Sequence, residues 1–205
     1  MDSFLAPAGE GRSEIVEKRS RFIGRITPVD SEAAAKDEIA RVRSEHHDAR
    51  HNCWCYIISG EIERYSDDGE PQGSAGLPML EALRRGGIAN VCCVVTRYFG
   101  GILLGTGGLS RAYTEAAKLA LADAGTAEYK LCDCVLITCP YNLLSSIRSD
   151  IAVCGGVIEN IEYGENVVLN AIILNGRTAA LCKLLAETSA GSVSSILTGS
   201  RWARV

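Results

Sequence analysis

After Gly125 the chain alternates in an order that few folds accommodate. "AEYKLCDCVLITC" reads as a strand, "YNLLSSIRSDIAVC" as a helix with Pro140 at its start, and "GGVIENIEYG" as a second strand. "NVVLNAIILN" pairs back through the Gly164–Glu165 turn, "GRTAALCKLLAETSA" is a helix, and "SVSSILTGSRWARV" is a last strand. The order β-α-β-β-α-β is that of a ferredoxin-like sandwich. A boundary near residues 126–130 sets it apart from a larger α/β unit before it. The expected fold class is α+β, with one domain over 1–128 and a second over 129–205.

Upstream, "EIVEKRSRFIGRITPV" reads as two short strands, and "SEAAAKDEIARVRSEHHDA" as a helix capped by Ser31. "HNCWCYIIS" is a buried strand, followed by a polar connection with room for a short strand. "SAGLPMLEALRRGG" is a helix ended by Gly86 and Gly87, and "NVCCVVTRYF" a central strand. A long amphipathic helix then runs to Gly125.

Composition narrows the function classes. The formal net charge of −4 argues against a protein built to coat nucleic acid, although local basic patches are compatible with it. Apolar runs such as "VCCVV" are far too short to cross a bilayer, so no membrane role is expected. "MDSFLAPAGEGRSE" has no basic segment followed by an apolar stretch, and the expected location is the cytoplasm. The nine cysteines occur as C-x-C and C-C within apolar runs, not at the spacing of a zinc site. They read as small buried hydrophobes in a reducing compartment.

Three polar clusters stand out. In "RYFGGILLGTGGLSRAY" a strand passes through a glycine-rich turn into a helix, the arrangement in which free backbone N–H groups meet an anion. The candidate anion- or partner-binding residues there are Gly100, Gly101, Gly105, Thr106, Gly107, Gly108 and Ser110, flanked by Arg97 and Arg111. The stretch matches neither the dinucleotide fingerprint nor a P-loop, and glycines serving close packing are the competing reading. In "YSDDGEPQGSAGLP", Asp67, Asp68 and Glu70 crowd a turn, as a divalent-metal site or general base would need; a solvated turn is the alternative. In "EHHDARHNCW", His47 and His51 would share a helix face, and His51 with Arg50 completes the set; a general base is one reading of such a histidine, and a helix-end cation or interface residue the alternative. No partnered nucleophile is recognisable, so no catalytic residue is assigned. No cofactor is expected.

Four blocks, "SRFIGRITPV", "HHDARHNCWCYI", "YSDDGEPQGSAGLPML" and "VVTRYFGGILLGTGGLSRAY", resemble successive blocks of the IMPACT/YigZ family in their order. The tail resembles the extra C-terminal domain of its bacterial members. The resemblance implies a first domain like the second domain of a ribosomal small-subunit protein. It implies a tail like a C-terminal domain of elongation factor G. Eukaryotic relatives regulate translation by competing with a starvation-responsive kinase for its co-activator. The expected function is therefore regulation of translation or of a stress response. The expected partner is RNA, the ribosome or a translation-associated protein, with the glycine loop, the acidic turn and Arg50/His51 on the functional surface. The alternative is a phosphate- or nucleotide-directed hydrolase or transferase with a metal at the acidic turn.

Overall fold

The computed structural model describes residues 3–59 and 61–204. The chain divides into two compact units, one spanning Phe4–Glu128 and the other built from the chain after Glu128. The architecture is α+β in both.

The first unit is organised around an antiparallel sheet of order β2-β3-β6-β4-β5. Its strands are β2 (Gly11–Glu17), β3 (Ser20–Pro28), β4 (His51–Ile58), β5 (Ile62–Ser66) and β6 (Val91–Tyr98). Of the eight residues of β6, seven are buried, because helices cover both faces of the sheet. On one face lies α1 (Glu32–Glu45), whose Ser31 side chain accepts from the Ala34 N–H as expected of a cap. Ala35, Ile39 and Val42 of α1 pack there on Tyr56, Ile58, Cys92 and Val94.

On the other face lie α2 (Gly76–Arg85) and α3 (Gly105–Ala124). The sequence of α3 buries Ala112, Ala116, Ala117, Ala120 and Ala124, a small-residue face that lets the helix approach the sheet closely. Gly24 in β3 completes the fit: a β-carbon there would stand 2.7 Å from the Ala116 carbonyl oxygen. A first strand absent from the sequence reading, β1 (Ser3–Pro7), is tied to this unit by Ala89 N–H to Leu5 O (2.8 Å) and Ala8 N–H to Gly125 O (3.0 Å).

The second unit has β7 (Thr126–Cys139), a 3-10 turn at Tyr141–Leu143 leading into α4 (Leu144–Val153), β8 (Val157–Tyr163), β9 (Val167–Leu174), α5 (Thr178–Ser189) and β10 (Ser194–Arg204). β10 and β9 flank β7, and β8 pairs with the far side of β9, all antiparallel. That is the ferredoxin-like arrangement anticipated from the order of elements. Ile147 and Ile151 of α4 and Leu181 and Leu185 of α5 close one core with Val135, Ile137, Leu169 and Ile173. Asp133 ties β7 to its neighbours by accepting from Asn175, Thr178 and Ser200.

All nine cysteines are free thiols; seven are buried, Cys134 is half-buried and Cys182 is exposed. No helix among the described residues is long and apolar enough to cross a membrane.

Candidate functional site

Register decides which polar groups meet. Arg97 pairs with Phe22 of β3 and with His51 of β4. These three residues lie at the same level of the sheet and, by strand alternation, on one face. Phe22 meets Tyr113 of α3 edge-on at 5.1 Å, which identifies this as the α3 face. The acidic turn, which links β5 to α2, and the glycine loop, which links β6 to α3, both arrive at this end of the sheet.

The three acids of the turn diverge. Asp67 caps α2 from nine residues upstream of its first residue: Oδ1 accepts from the N–H of Ala75 (3.0 Å) and Gly76 (2.9 Å), and Oδ2 from Gly73 (2.8 Å). Ala75, at the formal cap position, has no side chain able to do this. Asp68 accepts from the Asn52 N–H at 2.8 Å and pairs with Arg43 at 2.5 Å. Glu70 turns inward, where one oxygen accepts from Arg97 (2.7 Å) and from the Tyr113 hydroxyl (2.9 Å).

The sequence reading grouped these carboxylates as a possible metal or polar cluster. Folding instead sends each to a separate task. No group of three or more His, Cys, Asp or Glu able to hold a metal ion occurs among the described residues.

Arg97, expected as a cation flanking the glycine loop, is largely committed inside the protein. It is 6 % exposed and ion-paired with Glu70, and it donates to Ser20 Oγ at 3.3 Å. Its guanidinium carbon lies 5.5 Å from the ring centres of both Phe22 and Phe99. Burial, together with Cys53 and Glu70, pushes the Tyr113 hydroxyl far above its ordinary pKa, so it stays a donor. Burial likewise holds the Cys53 thiol protonated, donating to the Asp67 carbonyl at 3.0 Å. His51 Nδ1 stands 2.9 Å from the Asp68 carbonyl oxygen. A carbonyl can only accept, so Nδ1 carries the proton and Nε2 is left for another partner.

The glycine loop answers to two needs. Gly100 passes so close to the Arg19 backbone that a β-carbon would lie 2.0 Å from the Arg19 carbonyl carbon, a packing reason. Gly105 has φ of +72° and open space around it, and it starts α3 with no side-chain cap. Phe99 just before Gly100, and Ile102 and Leu103 between the two glycines, stand exposed, Leu103 by 82 %.

A cavity of about 420 Å³ lies at this corner. Arg50, His51, Glu70, Arg97, Gly105 and Thr106 all line it, so six of the singled-out residues meet. The apolar remainder of the wall is Pro71, Phe99, Leu103, Leu104 and Leu109, which the sequence reading did not select. Leucines set between glycines were the available signal.

Other candidates fall outside. Gly108, Ser110 and Arg111 line a separate depression with Glu17, Glu115 and Lys118. Gly107 is exposed, Gly100 and Gly101 belong to the approach to the helix, and Asp67 and Asp68 are occupied within the turn.

Comparison with known proteins covers both units. The Impact N-terminal domain model matches residues 18–121, and a domain of unknown function (DUF1949) matches 137–192. The chain is 36% identical over 193 residues to the IMPACT family member YvyE of Bacillus subtilis, covering 93% of this chain and 89% of that protein. It is 37% identical over 197 residues to the IMPACT family member YigZ of Escherichia coli, covering 94% and 97%. A crystal structure titled as that of a hypothetical protein superposes with a TM-score of 0.65 at 36% identity, over 96% of this chain and 98% of that one.

Proposed function

The chain belongs to the IMPACT family, and from that premise we propose that it regulates translation by binding RNA, the ribosome or a translation-associated protein. One observation carries this reading. The carboxylates at the corner of the sheet, Asp67, Asp68 and Glu70, are engaged within the protein, while the apolar loop beside them stands out into solvent. Phe99, Ile102 and Leu103 are 50 %, 40 % and 82 % exposed, next to the exposed Arg50. An exposed apolar patch that includes a phenylalanine beside an arginine has the composition of an interaction surface. The acidic net charge favours local contact over broad coating of phosphate.

The enzyme alternative requires a metal held at the acidic turn, and Asp67 there already accepts three backbone N–H groups. The test is sedimentation of the purified protein with ribosomes at moderate salt, with and without nuclease. Saturable co-sedimentation supports the proposal. Absence of binding, together with chelator-sensitive turnover of a phosphorylated metabolite, overturns it.

A further inference from the structure

We propose that the cavity behind the Phe99 loop binds a small amphiphilic anion, with a single carboxylate or phosphate head on an apolar body about the size of an aromatic ring. The inference goes beyond the macromolecular binding proposed above and does not require it. The cavity, at about 420 Å³, falls in the range of small-molecule sites, which combine apolar walls with a few placed polar groups. Leu103, Leu104, Leu109 and Phe99 supply the walls.

Two independent features define the head-group end. The first is the start of α3, a 20-residue helix with neither a side-chain cap nor an acidic residue in its first turn. The N–H groups of Gly105, Thr106 and Gly107 have no acceptor within the helix, and the helix dipole adds partial positive charge there. Gly105 and Thr106 line the cavity.

The second feature is Arg97 in the cavity lining. This buried side chain is held by Glu70 and Ser20, yet its Nε–H has no acceptor among the described residues. A buried donor without an acceptor is costly, and a small shift of the Arg97 side chain toward the cavity it lines would let a ligand oxygen supply the missing partner.

Charge sets the number of anionic groups. Glu70 offsets Arg97, and Arg43 offsets Asp68 behind it. Arg50 then remains, a lining cation with no ion pair among the described residues. One unpaired cation beside a helix N-terminus suits a single anionic head rather than a polyanion. His51 Nε2, freed by the Nδ1 bond to Asp68, offers a further hydrogen bond at the wall.

The test is amide-resolved NMR titration of the full chain with 3-phenylpropionate, phenyl phosphate, the neutral isostere 3-phenylpropan-1-ol, and inorganic phosphate. The two phenyl anions should saturate and shift the amides of Gly105, Thr106 and Gly107. The alcohol should bind at least tenfold more weakly than 3-phenylpropionate, and inorganic phosphate at least tenfold more weakly than phenyl phosphate. The two anions against each other separate a carboxylate site from a phosphate site, and saturation by either one supports the proposal. Arg50→Ala should weaken anion binding at least fivefold and leave the alcohol unchanged. Thr106→Glu places a carboxylate over an exposed helix N-terminus, where it favours the fold, and should abolish anion binding in a protein that melts no lower than wild type. Equal affinity for anion and alcohol, shifts confined to other amides, or no saturation by either anion at millimolar concentration overturns the proposal.

Discussion

Arg97 and Glu70 make the clearest energetic prediction, because their side chains are only 7% and 4% exposed and solvent screens the pair little. Arg97→Met leaves the Glu70 carboxylate buried with only the Tyr113 hydroxyl as donor, and Glu70→Gln leaves the guanidinium without a counter-charge. Removing one member of a buried pair costs about 3–5 kcal/mol, mostly from the uncompensated charge left behind. The first unit spans Phe4–Glu128. For a domain of that size about 4 kcal/mol lowers the midpoint of thermal unfolding by roughly 15 °C. The double variant removes both charges and should cost about 2 kcal/mol less than the sum of the singles. Urea unfolding followed by far-UV circular dichroism measures all four corners of the cycle. Single variants within about 1 kcal/mol of wild type, or strictly additive costs, would refute the assignment of Arg97 to the internal framework.

Three further substitutions test the surrounding structure. Asp67→Ala strips three backbone N–H groups of their acceptor and should destabilise by about 3 kcal/mol in urea, more than an ordinary cap loss, with Asp67→Asn intermediate. Gly100→Ala drives a β-carbon into the Arg19 backbone, so soluble yield or melting temperature should fall sharply, whereas Gly105→Ala meets no neighbour and should cost about 1–2 kcal/mol for its left-handed backbone alone. Asp133 is held below the usual carboxylate range, first by Thr178 and then by Ser200 and Asn175. A depressed carboxylate stabilises the fold above its unfolded pKa and loses that contribution as pH falls through the folded value. Asp133→Asn should therefore lower stability at pH 7, with the gap to wild type closing below about pH 4 in melts taken across pH.

Much of the fold was legible because its signals are local. Ser31 before an apolar-periodic run, Gly86 and Gly87 after one, and the tight turn at Gly164–Glu165 each mark an element boundary without knowledge of the rest. β1 escaped because five residues at the chain start show no periodicity, and its pairing partners lie far along the sequence.

At the site, sequence found the right loops but not the duties within them. Asp67 caps a helix whose cap position is Ala75, so the usual spacing rule passes over it. The bond of Arg97 to Glu70 joins residues 27 apart and depends on strand register, which places Arg97 on the buried face. Helical phase separates Thr106 from Arg111. Five residues carry the chain well past one full turn, so the two open onto different depressions. That last point could have been read from the sequence alone.

The central claim, that the chain works by binding through its exposed loop, is tested most directly by quantitative ribosome co-sedimentation of Leu103→Asp against wild type. Leu103 is 82 % exposed and forms no part of the core, so the variant should melt within about 0.5 kcal/mol of wild type. The account predicts saturable binding for wild type and at least a tenfold loss for Leu103→Asp at equal stability. Undiminished binding by the variant, or none by wild type, would contradict it.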